Sequence, residues 1–562
     1  MTDRHPPVTI RPLLACLGPA VCYSACALEP PVATSEVQEA IEQLRERYAA
    51  FGQGHVFRFW DSLGEAARTQ LADQARRIDL AALRRIQEHT RQLAAPGTRK
   101  LAPAAIEQLP SRGGSVERRA AAAKRGEELL RAGRVGVMVV AGGQGTRLGF
   151  EGPKGIFPLG PVSGRTLFQL HAEKLRGARR RHRTAIPWYV MTSPATDAAT
   201  RSFFERHASF GIPREDVVFL CQSMAPALDF EGRLILEAPD RIAESPNGHG
   251  GAFQALADSG ALDDMDRRGI STISYFQVDN PMIRLADPLF VGLHGLEQAE
   301  MSCKVVRKLD PLEKVGVVAR VDGRTSIVEY TEIDEAHRDA RDAAGELLYW
   351  AGSIAIHAID GSEMSAKVVR KIDPMEKVGV LARVDGRVGV VEYTEIDDAS
   401  RHARDPRGDL VYWAGSIAIH ALEVSFARRI AAEAERFLPY HASAKKIPFV
   451  DDHGAPVKPS EPNGHKLERF LFDALPAARR VTLLEVERGD EYAPLKNAEG
   501  SDSPATARCA LDALVRRWLA AASIEVAADR WVEVDHARLD GADDVSHVRS
   551  AEDAGLVLAP RT

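Results

Sequence analysis

The chain has 562 residues, 45% hydrophobic and 27% charged, with a net charge of −6. That length exceeds one ordinary domain and predicts two or three within a soluble globular protein. Acidic and basic residues are mixed throughout, so no nucleic-acid partner is expected, and any phosphate ligand needs a local site. The six cysteines, at 16, 22, 26, 221, 303 and 509, form no CxxC pair, so neither a zinc site nor a disulfide framework is indicated.

The apolar stretch from Leu13 to Leu28 can be read as a signal-peptide core ending in Tyr23-Ser24-Ala25-Cys26. Gly18-Pro19 and a weakly basic start favour the other reading, a disordered extension over residues 1–34. No stretch is long and apolar enough to span a bilayer, so no membrane partner is expected. Residues 35–132 read as a helical N-terminal domain. Ser35 is a candidate cap for a helix through Val37, Ile41, Leu44 and Tyr48, whose spacing puts an apolar stripe on one face.

The pattern changes at Val135. Gly136-Val137-Met138-Val139-Val140-Ala141 suits a buried parallel strand. A glycine-rich turn follows, then an amphipathic stretch from Thr166 to Arg176. Trp188 to Thr192, with a helix over 195–208, makes a second unit, and Val217 to Leu220 and Ile273 to Val278 are further strands. Strands alternating with helices predict an α/β sheet over 133–475. Residues 476–562 read as a small C-terminal α/β domain with a helix over 504–522.

Residues 301–359 match 364–422 without a gap, with 44 of 59 positions identical. Each copy is strand-rich, with a Val-Asp-Gly-Arg hairpin turn. Two copies are too few for a solenoid. The expectation is a duplication inside one domain, one copy completing the sheet and the other inserted.

The strongest chemical signal is the run from Val140 to Gly149, Val-Ala-Gly-Gly-Gln-Gly-Thr-Arg-Leu-Gly, followed by Pro153-Lys154. Glycines after a strand let backbone N–H groups approach a polyphosphate, and a following helix N-terminus adds positive potential. Arg147 and Lys154 contribute mobile cations. A glycine-rich loop alone is most often a plain turn; the Arg and Pro-Lys at this spacing set this one apart. It matches neither a Walker A loop nor a GxGxxG fingerprint. Asp279, at the C-terminal edge of an apolar strand, is well placed to hold a divalent cation.

This loop, with Pro153-Lys154-Gly155, resembles the signature of the UDP-sugar pyrophosphorylases, above all the UDP-N-acetylglucosamine pyrophosphorylases and their bacterial relatives. The resemblance runs from about residue 40 to 520. It implies a central Rossmann-like, GT-A-like mixed sheet flanked by helices. It also implies a cytoplasmic enzyme that joins UTP to a sugar 1-phosphate with Mg²⁺. By the same resemblance Arg147, Lys154 and Lys496 are catalytic, and Ala141, Gly142, Gly143, Gln222, Gly248, Asp279 and Lys466 bind the nucleotide. Asp279 also holds the metal. His249 stands where eukaryotic members have a sugar-contacting asparagine. Glu329-Tyr330 and Glu392-Tyr393 match a sugar-binding pair, and Ser353 and Ser416 replace another asparagine. These departures leave the sugar open between N-acetylglucosamine and glucose. Copy two, which runs directly into the downstream motifs, is the favoured supplier of the sugar side. A catalytically silent nucleotide-sugar binder is the rival reading, since the insertion could block the cleft.

Overall fold

The computed structural model describes residues 33–84, 101–102, 106–307, 317–321, 324–328, 364–370, 380–384, 387–391 and 414–561. Among the expected features, the extension over residues 1–32 and the residues Glu329, Tyr330, Ser353, Glu392 and Tyr393 lie outside them, as does the side chain of Ser416. The chain forms two compact units, Met1–Arg58 and Phe59–Thr562.

In the first unit, helix α1 (Ala33–Ala50) begins two residues before Ser35. Tyr48 on its inner face meets Phe57 edge-on at 5.2 Å between ring centroids.

The second unit is built on one large sheet. Strands β1 (Val135–Val140), β2 (Trp188–Thr192), β3 (Val217–Cys221) and β4 (Thr272–Gln277) are parallel, in the order β3-β2-β1-β4. Both faces of β1 are buried, as its continuous apolar run requires. Past β4 the sheet turns mixed. Strands β5 (Met301–Arg307) and β6 (Met364–Arg370) are the first strands of the two repeat copies. Strand β7 (Ala414–Glu423), from the end of copy two, runs antiparallel to β4, with Tyr275 opposite His420. It also pairs antiparallel with β5. Strand β8 (Val481–Glu485) runs parallel to β5 on the other side, so chain beyond residue 476 belongs to this sheet. The strands that flank the Val-Asp-Gly-Arg run pair antiparallel in each copy, with Val321 opposite Arg324 and Val384 opposite Arg387.

Helix α2 (Leu167–His182) covers the parallel half and buries Leu167, Phe168, Leu170 and Leu175. Thr166 and Gln169 close its N-terminus with a reciprocal capping box. The C-terminal chain is latched to the start of this helix. Glu533, at the end of the strand Arg530–Glu533, accepts hydrogen bonds from Val162 N and Ser163 N, both 3.0 Å, and from Arg165 at 2.9 Å.

Candidate active site

β1 ends at Val140 and its extension is held. Ala141 N donates to Met191 O at 2.7 Å, and Ser193 Oγ donates to Gly142 O at 2.7 Å. The loop then folds on itself, with Gly145 N on Gly152 O at 2.8 Å and Lys154 N on Gly143 O at 3.0 Å. Two short 3₁₀ turns, Thr146–Leu148 and Lys154–Ile156, lie between the loop and the next helix. The next α-helix begins at Leu167, as the stretch from Thr166 to Arg176 predicts; its capping box takes the N–H groups of Thr166 and Gln169, and Leu167 N donates to Phe157 O at 3.2 Å.

Gln222 is buried beside the loop. A Cβ on Gly142 would lie 2.3 Å from Gln222 Nε2, so only glycine lets the amide reach the backbone there. Gln222 and Asn247 also line a cavity of about 1530 Å³ with Met224, Tyr440 and Arg469; Asp279 and its partners lie outside that lining. Gly248 has φ +69°, and a Cβ there would sit 2.5 Å from Arg469 O.

Just past β4, Asp279 is buried and joins two distant segments. Its Oδ2 accepts from Lys154 Nζ at 3.1 Å and from Lys496 Nζ at 2.8 Å. Burial works to raise the Asp279 pKa, but the two ammonium groups outweigh it and hold the carboxyl far below its ordinary value. Burial lowers the Lys154 pKa, with Asp279 opposing and Lys496 and Arg147 adding to the drop. Arg147 itself is exposed and makes no side-chain hydrogen bond among the described residues. Lys466 lies on the strand Gly464–Arg469, opposite Ser443, and no hydrogen bond ties it to the Asp279 cluster.

His249 is half-buried against Phe470 and Phe472, each with its ring centroid 5.4 Å away. Leu471 N donates to His249 Nδ1 at 3.1 Å. Burial lowers its pKa to about 3, helped by Lys496 and His441, so the ring is neutral and carries its proton on Nε2.

Two groups escaped the sequence reading. Asn280 Nδ2 donates to Glu491 O at 2.8 Å, and its Oδ1 accepts from Ala493 N at 3.3 Å. Leu495 N donates to Asp279 O at 2.9 Å. These bonds fix the 491–496 segment that carries Lys496. Lys304, in a strand run that gives no local sign of an inward charge, is wholly buried. It pairs with Asp287 at 3.0 Å and with Glu491.

UDP-N-acetylhexosamine pyrophosphorylase-like protein 1 of Homo sapiens is 36% identical to this chain over 496 residues, 85% of each sequence. The chain belongs to the UDP-sugar pyrophosphorylase family. The UDP-N-acetylglucosamine pyrophosphorylase of Saccharomyces cerevisiae is 34% identical over 403 residues, 70% of this chain and 71% of that one. A family model described as UTP–glucose-1-phosphate uridylyltransferase matches residues 86–359. Among solved structures, the uridine diphosphate N-acetylglucosamine pyrophosphorylase of Trypanosoma brucei superposes with a TM-score of 0.66 at 27% identity, over 86% of this chain and 87% of that one. The mixed α/β sheet is thus that of the UDP-sugar pyrophosphorylases.

Proposed function

We infer that this protein is a UTP-dependent sugar-1-phosphate uridylyltransferase. It joins the uridylyl group of UTP to N-acetylglucosamine 1-phosphate in preference to other sugar phosphates and releases pyrophosphate. The observation that carries this reading is one buried carboxylate, Asp279, holding Lys154 and Lys496 beside a glycine loop. Two cations parked on one carboxylate are ready to turn to arriving phosphates. The names of the relatives support the same reaction.

Neither reactant needs a protein nucleophile. An oxygen of the sugar phosphate attacks the α-phosphorus of UTP in line. As the new P–O bond forms, the bond to the bridging oxygen breaks and its electron pair leaves with pyrophosphate. The protein's task is to hold two anions together and offset growing charge. Backbone groups of Ala141, Gly142, Gly143 and Gly248 and the Gln222 amide receive the nucleotide, with Lys466 on its phosphates. Arg147 and Lys154 face the leaving pyrophosphate, and Lys496 steers the attacking phosphate. His249 offers the sugar an Nε2–H donor. Glu392, Tyr393 and Ser416 of copy two, or Glu329, Tyr330 and Ser353 of copy one, complete the sugar side.

Among the described residues no three His, Cys, Asp or Glu side chains cluster as a preformed metal site. Mg²⁺ commonly takes one or two carboxylates and completes its shell with substrate phosphates and water. Asp279 fits that pattern and would hold the ion together with the nucleotide. A bound Mg²⁺ would neutralise charge on the phosphates. No helix among the described residues is long and apolar enough to cross a membrane, and we take the cytoplasm, where UTP is available, as the compartment.

The test is pyrophosphate release from UTP and Mg²⁺ with N-acetylglucosamine, glucose and galactose 1-phosphates in parallel. Fastest turnover with N-acetylglucosamine 1-phosphate is expected. Faster turnover with glucose 1-phosphate would reassign the sugar, and no turnover in a folded sample would sink the enzyme reading.

A further inference from the structure

The turn that carries Asp279 is buried from end to end. Val278, Asp279, Asn280, Met282 and Ile283 are each at most 6% exposed, although they lie past the last residue of β4. Buried backbone outside a regular ladder must find its hydrogen bonds elsewhere. Val278 N donates to Val140 O at 3.1 Å, and Leu495 N donates to Asp279 O at 2.9 Å. The carbonyls on either side of Asp279-Asn280 are met by side chains of α2. His171 Nε2 donates to Val278 O and Lys174 Nζ donates to Ile283 O, both at 3.0 Å. A carbonyl only accepts, so His171 carries a proton on Nε2.

His171 and Lys174 are three positions apart and so share one face of the helix. Both are buried. Lys174 Nζ also pairs with Asp540 of the C-terminal chain at 3.2 Å. Asp540 is itself held in place. His536 Nδ1 donates to its Oδ1 at 3.1 Å, and its own N donates to Asp544 Oδ2 at 2.9 Å. Asp544 in turn accepts from Arg181 Nε, at the far end of α2, at 3.1 Å.

A buried ion pair adds little net stability, because desolvation offsets most of its attraction. An apolar pair would fill the same face of the helix without that cost. What His171 and Lys174 add is direction. Two donors on one rigid helix fix both ends of the turn from which Asp279 reaches Lys154 and Lys496. We propose that His171 and Lys174 are positioning residues for Asp279, and that Asp540 extends this hold to the C-terminal chain. None of the three needs to touch a substrate. The proposal deepens the uridylyltransferase reading of the site and rests on it for turnover.

The experiment uses the full chain and compares the parent with H171L, H171Q and D540N. Glutamine keeps an N–H donor for Val278 O; leucine has none. In H171L kcat should fall on the order of 10-fold or more, since small misplacements of reacting groups are costly. KM for UTP should stay within about threefold of the parent, because Gln222 and the glycine loop are untouched. H171Q should recover most of the lost kcat. D540N is the milder variant, keeping the shape of its contact and removing only the charge. It should lower kcat about threefold with the same unchanged KM. A second arm needs no turnover. H171L is also made in D279N, where the ion pairs are already lost, so it should lower the urea midpoint less there than in the parent. Equal midpoint shifts in the two backgrounds would overturn the proposal. So would a parent-like kcat in H171L, or a kcat in H171Q as low as in H171L. A parent-like kcat in D540N would overturn the part given to Asp540. A parent that turns over no sugar phosphate would sink the reaction, and the urea comparison would still decide the positioning.

Discussion

Asp279 carries the largest local consequence. Its carboxylate serves two lysines whose side chains are 18% and 29% exposed. In D279N both ammonium groups lose their counter-charge, and stability should drop by on the order of 3 kcal/mol. The pH dependence has a definite sign. The folded pKa lies below the ordinary 3.8, so the carboxylate stabilises the fold above about pH 4 and less as pH falls further. Urea midpoints of the parent and D279N should therefore converge in acid; curves that stay parallel would contradict the ion pairs. K496M leaves Lys154 on Asp279, so it should stay folded while kcat falls by about 10²-fold or more. His249 behaves differently. The unfolded imidazole takes up a proton near pH 6.5, whereas the folded one does so only near 3. Its burial therefore costs stability progressively as pH drops from 6.5 towards 3. H249N should lose less stability than the parent between pH 7 and pH 4, as measured by denaturant titration at both.

At the scale of elements, loop and strand termini decide the site. G142A drives a methyl group towards the Gln222 amide. Because that amide is the end of a flexible side chain, the fold should survive and the KM for UTP should rise, with kcat nearly unchanged. A fall in thermal stability without a KM change would mean that Gln222 does not meet the nucleotide. The strands β1, β2 and β4 were legible as apolar runs because each is short, buried on both faces and followed by a break, and the edge strand β3, only partly buried, was legible as an apolar run of similar length. The glycine loop was legible because its residue types are rare in combination. The helix that follows it begins at Leu167, inside the amphipathic stretch that the spacing predicts. Lys304 and Asn280 were not legible as site supports. Their partners, Asp287, Glu491 and Ala493, are brought near by sheet packing and leave no trace in local spacing.

For the whole molecule the duplication is the dominant fact. Arg307 and Arg370 hold equivalent places in the two copies, so deleting residues 308–370 joins Arg307 to Lys371 in the natural order of a single copy. That shortened chain should fold, keep turnover within a few-fold, and unfold at a similar temperature, since loop length costs little. A collapse in either measure would show that the extra repeat has become indispensable. The sequence displayed the repeat openly; that the sheet would take its fifth strand from one copy and β7 from the other follows from where the flanking chain enters and leaves. The latch at Glu533 has a practical side. Four donors from the 162–165 turn converge on one carboxylate carried by a late segment. Between the site and that segment lies the exposed turn around Glu499 and Gly500. A gene split there would yield two polypeptides that recognise each other without a covalent bond, and recovered turnover on mixing would make the pair a complementation reporter.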